Sequence, residues 1–448
     1  MPGGSEADRR RYAIVGTGAR AEMFVRALAV DHAGRCRLVA LADPNPARTR
    51  AHNETLTALG APAAATYDAT DFQRMLDKER VDVVIVTTVD RFHDRYIVAA
   101  LDAGRDVITE KPMTIDADRC RGILDAVERS GRRVTVTFNY RYNPLHEAVR
   151  RVLARGEIGE VGSVHFEWLL DIRHGADYFR RWHREKANSG GLLVHKATHH
   201  FDLVNWWLEA VPTQVYAQGR LFFYGEAGAR HGYARGYDRA HGSPEAADDP
   251  FALHLARNDG LRRLYLDAEG HDGYHRDRNV FAPGVTIEDD MALVVRYSTG
   301  ATMSYHLTAY SPWEGYRVMF NGSKGRLELE VVESDHVAPG SGGLKGASLH
   351  GAEAAAEQGS VRLRVCPFWR PPYDVDVTGH RREGHGGADA RMTAALFAGD
   401  GSADPLGRSA TERDGALSLL TGLAGNESLI TGAPVRVADL LDLTTGDR

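Results

Sequence analysis

The sequence predicts a two-part α/β protein: an N-terminal doubly wound parallel sheet, then an α+β domain on a large, mostly antiparallel sheet. Two observations carry this. From Tyr12 to about Thr137, short β-branched runs alternate strictly with longer helical segments; after Asn143-Pro144, strand-like runs follow one another through turn signals. Strand and helix in strict succession imply crossover connections and a parallel sheet covered on both faces. The length, 448 residues, also exceeds one ordinary core and favours two domains.

In the first half, Tyr12–Val15, Leu38–Ala42, Val83–Thr87, Val107–Thr109 and Val134–Thr137 read as buried strands. Arg20–Val30, Pro46–Leu59, Phe72–Lys78, Phe92–Ala103 and Ala117–Arg129 read as the helices between them, with Gly104 and Gly131 as helix stops. Beyond Pro144 a helix (Leu145–Arg155) precedes a strand-like run (Ser163–Asp171) and a mostly helical stretch (Leu192–Leu208). Val215–Phe223, Ala292–Tyr297, Ala301–Leu307, Arg317–Asn321 and Arg326–Val332 then read as strands, the last four as an antiparallel meander. Helical spacing returns at Thr411–Leu429 and stops at Gly432-Ala433-Pro434. Gly225–Gly284, rich in Gly, Asp, Arg and His, and the Gly/Ala-rich Ser334–Gly359 fit neither pattern and read as insertions, either surface loops or a lid. The expected division is residues 1–140 and 141–410, with insertions 225–284 and 334–359 and a closing helix at about 411–430.

Composition narrows the function. With 43% hydrophobic and 26% charged residues the chain reads as a folded, soluble protein. Lys plus Arg total 55 against 61 Asp plus Glu, so no global basic field exists to hold nucleic acid. Cys36, Cys120 and Cys366 lie far apart, against a disulfide framework or a cysteine zinc site. Met1–Arg11 lacks the apolar run of a signal peptide, and no stretch approaches the ~20 apolar residues of a membrane span. A cytoplasmic protein without a membrane partner is expected.

The first chemistry-bearing motif is Gly16-Thr17-Gly18-Ala19-Arg20-Ala21, directly after the first strand and opening a helix. Gly16 permits the tight turn, Gly18 lets backbone N–H groups approach a pyrophosphate, and Ala21 lets helix and strand pack closely, as in a Rossmann dinucleotide site. Asp43 closes the second strand, where a carboxylate accepts ribose hydroxyls and repels a 2′-phosphate, favouring NAD over NADP. The competing reading of Asp43-Pro44 is a cap for the following helix.

Gly16–Ala21, Asp43, Thr87-Thr88 with His93, Glu110-Lys111-Pro112, Phe138–Pro144 and the helix around His199 and Asp202 occur in an order that resembles the Gfo/Idh/MocA oxidoreductases, the family of glucose–fructose oxidoreductase and inositol dehydrogenase. The resemblance covers nearly the whole chain except the two insertions. It implies NAD held by Gly16–Ala21, Asp43, Thr87, Thr88, His93, Glu110, Lys111, Asn139 and Arg141. It implies a substrate hydroxyl deprotonated with the help of Lys111 and His199. Many relatives carry an aspartate one helical turn before that histidine; here the position is His195. Residues four apart share a helix face, so both imidazoles can point into one cleft, but a second imidazole cannot supply the missing charge. His-x-x-x-His with Lys196 in second place is a poor metal motif, and no metal is expected.

The segment from Arg173 to His200 concentrates Arg173, Arg180, Arg181, Arg184, Lys186 and Lys196 against Asp177 and Glu185. This reads either as an anion-binding site for the substrate or as a solvated loop. Tyr142, Arg173 and Trp182 join Lys111, His195 and His199 as candidate substrate contacts; Trp206-Trp207 reads better as packing. The expected activity is NAD-dependent oxidation of a secondary hydroxyl of a sugar, polyol or derivative, including an anionic one. The resemblance also admits an NAD-dependent glycoside hydrolase working by transient C3 oxidation, and a non-catalytic NAD-binding regulator. It further implies a homo-oligomer paired through the open face of the second sheet.

Overall fold

The computed structural model describes residues 9–337, 358–377, 384–398 and 403–443. Six parallel strands form the first sheet: β1 (Arg10–Val15), β2 (Cys36–Ala42), β3 (Ala65–Tyr67), β4 (Val83–Val86), β5 (Asp106–Thr109) and β6 (Val134–Val136). The second sheet contains β7 (Val161–Asp171), β8 (Pro212–Arg220), β9 (Asp290–Tyr297), β10 (Thr302–Ser311), β11 (Glu314–Gly322), β12 (Gly325–Ser334), β13 (Ser360–Pro367) and β14 (Tyr373–Asp374). Two short strands finish the sheets: β15 (Ala410–Thr411) pairs antiparallel with β6, and β16 (Val435–Arg436) with β8.

The first sheet runs β15-β6-β5-β4-β1-β2-β3. Its central strands are buried throughout, as in Val83–Val86, because helices cover both faces. These are α1 (Ala21–Arg26), α2 (Pro46–Ala58), α3 (Phe72–Lys78), α4 (His93–Asp102) and α5 (Ala117–Ser130). Their ends obey local chemistry: Asn45 accepts the Ala47 N–H ahead of α2, Asp116 that of Arg119 ahead of α5, and Gly131 closes α5 at φ 62°. The first helix is shorter than its sequence pattern, giving way after Arg26 to a π turn over Ala27–Asp31. β3 escaped the sequence reading because three partly exposed residues at a sheet edge leave no hydrophobic run.

The second sheet runs β14-β13-β12-β11-β7-β10-β9-β8-β16. The expected meander is corrected here. β9–β10 and β11–β12 are antiparallel hairpins, but β7 lies between them, antiparallel to β11 and parallel to β10. Alternating burial along β9, β10 and β12 packs one face on helices and leaves the other outward. Between β6 and β8 run α6 (Pro144–Ala154), α7 (Ile172–Arg180), α8 (Lys186–Ser189), α9 (Leu192–His195) and α10 (Thr198–Leu208), of which α7 packs on β7 and β10 and α8 reaches the loop after β4. The expected single helix over Leu192–Leu208 is thus two, separated at Lys196-Ala197.

The helix Glu412–Thr431 begins with a capping box between Thr411 and Asp414. Gly415 sits against Val136 and Met113, while Gly422 and Gly425 sit against Leu193 beneath β8 and β9. Residues 225–284 are folded, through short 3-10 and π turns and small apolar clusters such as Ala51, Leu253, Leu255, Leu261, Leu264 and Tyr265. Of the other insertion, residues 338–357 lie outside the described residues. No helix of the described residues is long and apolar enough to cross a membrane.

Gly16 joins the β1 turn to the β4 loop. Its φ is +85°, and a Cβ there would stand 2.6 Å from the Thr88 Cα and N. Gly16→Ala should cost about 2 kcal/mol or more of stability, read as a lowered Tm in thermal unfolding; an unchanged Tm would show that the contact is not constraining.

Candidate active site

A cleft of about 800 Å³ opens at the C-terminal ends of the parallel strands. Open α/β sheets place ligands at this edge. It is lined at one end by Gly16, Gly18, Ala19, Arg20 and Asp43, and at the other by Asp90, Lys111, Tyr140, Tyr178, Arg181, Trp182, His183, His195, Lys196 and His199.

At the glycine end Asp43, nearly fully buried, accepts the N–H groups of Thr17 at 2.6 Å and Asn45 at 2.8 Å. Both sequence readings of this carboxylate are therefore compatible: it braces the helix start and still borders the cleft. Arg48 stands between Asp43 (3.5 Å) and Asp272 (2.7 Å). Arg20 donates to Glu110 at 2.6 Å, tying the glycine turn to the loop after β5. Thr87 braces the turn through its hydroxyl and the Gly16 carbonyl, 2.5 Å apart. His93 lies between the Pro112 carbonyl (2.8 Å) and the Thr88 carbonyl (3.1 Å), and Asn139 donates to Asp389 at 2.8 Å. The turn, its missing Cβ atoms and the acidic end of β2 suit a dinucleotide without a 2′-phosphate.

At the other end Lys111 follows β5, its bond to Pro112 cis. Its Nζ donates to the His195 carbonyl at 2.8 Å and lies 3.5 Å from His195 Nε2. Burial lowers its pKa to about 8, against the opposing pull of Asp90 and Glu110. His195 Nδ1 is 2.5 Å from Asp90 Oδ2. Burial disfavours charge on both partners, pushing Asp90 well above and His195 well below the usual range. The carboxylate that the sequence seemed to lack beside its histidines is thus supplied by Asp90, from the loop after β4. His199 stacks on Tyr140 at 4.4 Å between ring centres, and Lys196 donates to the Tyr140 hydroxyl at 3.1 Å while facing the Trp168 ring at 4.8 Å.

Five sequence candidates do not line this cleft: Arg141, Tyr142, Arg173, Thr17 and Ala21. Arg141 is buried in a bidentate pair with Asp202 (2.8 and 2.7 Å) and a third bond to Asp414, so its charge is spent joining β6, α10 and the closing helix. Tyr142 packs with Ala388 and Met392 beneath Arg408. Arg173 is buried at the start of α7 against Asp171. Ala21 and Thr17 support the turn from within the core, fully buried. Of the basic run, Arg184 donates to the carbonyls of Asn279, Ala282 and Pro283, and Lys186 pairs with Glu288. Sequence reasoning missed Asp90, Tyr140 and the insertion's Tyr265, Tyr274 and Arg276, all of which line the cleft, as does Lys196 of the basic run. An acidic residue just past the β4 loop was the one available signal.

Residues 10–138 match a family model described as oxidoreductase family, NAD-binding Rossmann fold, and residues 150–381 match its C-terminal alpha/beta domain. The chain is 33% identical over 444 residues to a Bacillus subtilis (strain 168) protein that carries the name oxidoreductase YteT, covering 94% of this chain and 96% of that one. It is 30% identical over 221 residues to the inositol 2-dehydrogenase of Rhizobium meliloti (strain 1021), covering 49% and 62%. Among solved structures, the aldose-aldose oxidoreductase of Caulobacter crescentus, complexed with glycerol, superposes with a TM-score of 0.62 at 18% identity, covering 96% and 99% of the two chains. The WlbA dehydrogenase of Bordetella pertussis, in complex with NADH and UDP-GlcNAcA, does so with a TM-score of 0.62 at 19% identity, covering 96% and 98%. The chain belongs to the Gfo/Idh/MocA oxidoreductase family and is an NAD-dependent oxidoreductase.

The position of Arg48 between two carboxylates gives a test of cofactor choice. Asp43→Ala removes one of them and should narrow the preference for NADH over NADPH by about tenfold or more, on the scale of a lost charge-assisted contact. Fluorescence titration of both reduced cofactors measures it, and an unchanged affinity ratio would remove Asp43 from cofactor selection.

Proposed function

We propose that this oxidoreductase removes hydride from a secondary alcohol of a sugar, polyol or sugar derivative, with Lys111, His195 and Asp90 handling the hydroxyl proton. The observation that carries the reading is the partly buried Lys111 at the end of β5, bonded to His195, which is itself backed by Asp90. NAD, when bound, supplies the hydride acceptor. Gly16–Arg20, Asp43, Thr87, Thr88, His93, Glu110 and Asn139 are the residues assigned to hold it, directly or by bracing the turn.

The proton chemistry follows from environment. An ammonium lowered to about 8 is within reach of its neutral form near neutral pH, so the Lys111 amine can accept the hydroxyl proton as the C–H bond breaks. Protonated again, it stabilises any alkoxide character on the same oxygen. His195 Nε2, facing Lys111, takes that proton as its Nδ1 proton passes to Asp90, whose raised pKa receives it and leaves the buried ring neutral. His199, stacked on Tyr140, is assigned to the substrate's remaining hydroxyls or to its oxygen. The reaction balances as alcohol plus NAD+ giving ketone, NADH and one proton. The named relatives are oxidoreductases and dehydrogenases, and the glycoside-hydrolase expectation draws no support from them.

The pH dependence follows with its sign. Because the Lys111 pKa is lowered toward 8, the neutral base is lost as pH falls through that value, and kcat/KM for oxidation should rise with pH and level off above it. Asp90 raises the Lys111 pKa, so Asp90→Asn should move the break to lower pH and reduce kcat. Lys111→Met should lower kcat by about a hundredfold or more while NADH still binds. A pH-independent rate, or a Lys111→Met enzyme of normal rate, would overturn the assignment. NADH absorbance over a panel of sugars and polyols is the measurement, and turnover without net NADH would count for the redox-neutral alternative.

A further inference from the structure

The substrate end of the cleft gathers Lys111, Arg181, Lys196 and Arg276 along its wall. Three guanidinium groups converge on the single buried carboxylate of Asp177. Arg276 reaches it through Nη1 and Nη2 (2.8 and 3.3 Å), Arg181 through Nη1 (2.9 Å), and Arg180 stands 3.5 Å away on its inner side. Together they hold the Asp177 pKa far below the usual carboxylate range. Arg180 also donates to the Phe251 carbonyl, facing away from the cleft. Arg181 and Arg276 line the cleft, and so does Lys196, whose bonded partner is a neutral phenol. Of the other carboxylates here, Asp90 is engaged with His195, Glu185 faces Arg278 at 3.8 Å, and Glu314 lies behind, on His174, where it and Glu333 act on Lys196 through space.

Among the described residues the Arg181 guanidinium bonds only through Nη1, and its buried Nε has no hydrogen-bond partner. Arg105 and Arg184 also hold a buried Nε without a partner, away from the cleft; Arg181 differs in lining it. The side chain keeps 21% exposure. The Nε–Nη2 edge left over is the one that receives a carboxylate in two parallel hydrogen bonds. Arg276, 1% exposed, and His183 each also hold a buried nitrogen without a partner, Nε and Nδ1. Native interiors rarely leave such groups unsatisfied. The cluster adjoins the reacting end: the His183 and His195 rings are 4.1 Å apart, and Arg181 lies close enough to influence both Asp90 and His195. Arg276 comes from the 225–284 insertion, so this wall is made jointly by the α7 segment and the insertion.

We propose that Arg181, seated by Asp177 and backed by Arg276, forms a subsite for a carboxylate on the substrate, and that the sugar oxidised at Lys111 is a uronic acid or a similarly acidic saccharide. A guanidinium edge takes a carboxylate or a phosphate in the same two-bond pairing, but its single charge is balanced by a carboxylate and not by a phosphate dianion. The proposal rests on the dehydrogenase reading above for the position of the reacting carbon, but the subsite can be tested apart from turnover.

The test titrates sugars into the NADH-loaded protein, in which no oxidation can occur. Glucuronate, galacturonate and mannuronate are compared with glucose, galactose and mannose, with glucose 6-phosphate as a further arm. At least one uronate should bind tenfold or more tightly than its neutral counterpart. Arg181→Gln should remove most of that margin while leaving NADH affinity within twofold, and Arg181→Lys should fall between. Arg276→Gln, checked for an intact melting transition, should act in the same direction. Equal binding of acid and neutral members, no binding of any uronate, or preference for the phosphate would overturn the proposal. So would an Arg181→Gln variant that weakens NADH and spares the uronate margin, since the arginine would then serve the dinucleotide's diphosphate. If the uronate binds through Arg181 but no sugar yields NADH with NAD, the dehydrogenase reading fails and the subsite stands.

Discussion

An ammonium group held in a partly buried cleft is the constraint on which the site depends. Lys111 needs enough negative surroundings to stay folded there, yet a carboxylate bonded to it directly would fix its proton. The chain separates these demands. Glu110, its neighbour in sequence, is drawn away to Arg20 at 2.6 Å, and Asp90 to His195 at 2.5 Å. What Lys111 receives directly is the carbonyl of His195, where the one-turn helix α9 ends and its last carbonyl groups lack helical partners. The break at Lys196-Ala197 frees that oxygen for Lys111: a continuous helix would have used it. Both carboxylates still act on the amine through space, and burial outweighs them, which is how its pKa comes to rest near 8 rather than at either extreme.

The order of elements in the first sheet was legible because it is set locally. Each short buried strand, each cap and each glycine stop can be read within a few positions. The glycine turn, Asp43 and the lysine after β5 were readable for the same reason, since the strand ends bring them to one edge. The second sheet was less legible because its order departs from sequence order. β7 enters between two hairpins formed more than a hundred residues later, and no local pattern announces a parallel neighbour. Arg141, Tyr142 and Arg173 mark another limit. Their sequence neighbourhood is right, but the direction of a side chain depends on partners such as Asp202, Arg408 and Asp171. Asp90 is the converse case, placed opposite His195 by a sequence separation of 105 residues.

The 225–284 segment was read as an insertion because it has few apolar residues and no period. It holds together by other means. Arg235 pairs with Asp249, Arg239 with Glu269 and Asp277, and Arg184 fills three of its carbonyl positions. Small clusters such as Tyr237, Ala240, Ala246 and Ala252 add local packing. The segment also reaches across to the nucleotide sheet: Asn45 donates to the Ala268 carbonyl, Arg48 to that of Leu264, and the Tyr265 hydroxyl accepts the Ala19 N–H at 3.0 Å. One stretch of chain thus touches the glycine turn through Tyr265 and the far wall through Arg276, which lies over the Tyr265 ring at 5.4 Å.

Charge pairing differs between the two ends of the cleft, and the difference carries information that net charge does not. At the glycine end the cations are matched: Arg20 with Glu110, Arg26 with Glu22, Arg48 with Asp43 and Asp272. A diphosphate entering there meets backbone N–H groups and a helix N-terminus rather than spare guanidinium groups, and a 2′-phosphate would meet carboxylates. At the other end the matching is looser, with Lys196 bonded to a phenol while Glu314 and Glu333 act on it only through space, and with one edge of Arg181 without a bonded partner. An ion pair closed within the protein has little left to offer a ligand, because the desolvation cost has already been met by its partner. An unmatched edge beside a fully engaged one discriminates, since an anion recovers both the hydrogen bonds and the charge pairing that burial withheld, and a neutral acceptor only the first. The chain as a whole is acidic by six charges, so this looser matching cannot come from composition; it arises from which carboxylates the fold brings to each wall and which it keeps away.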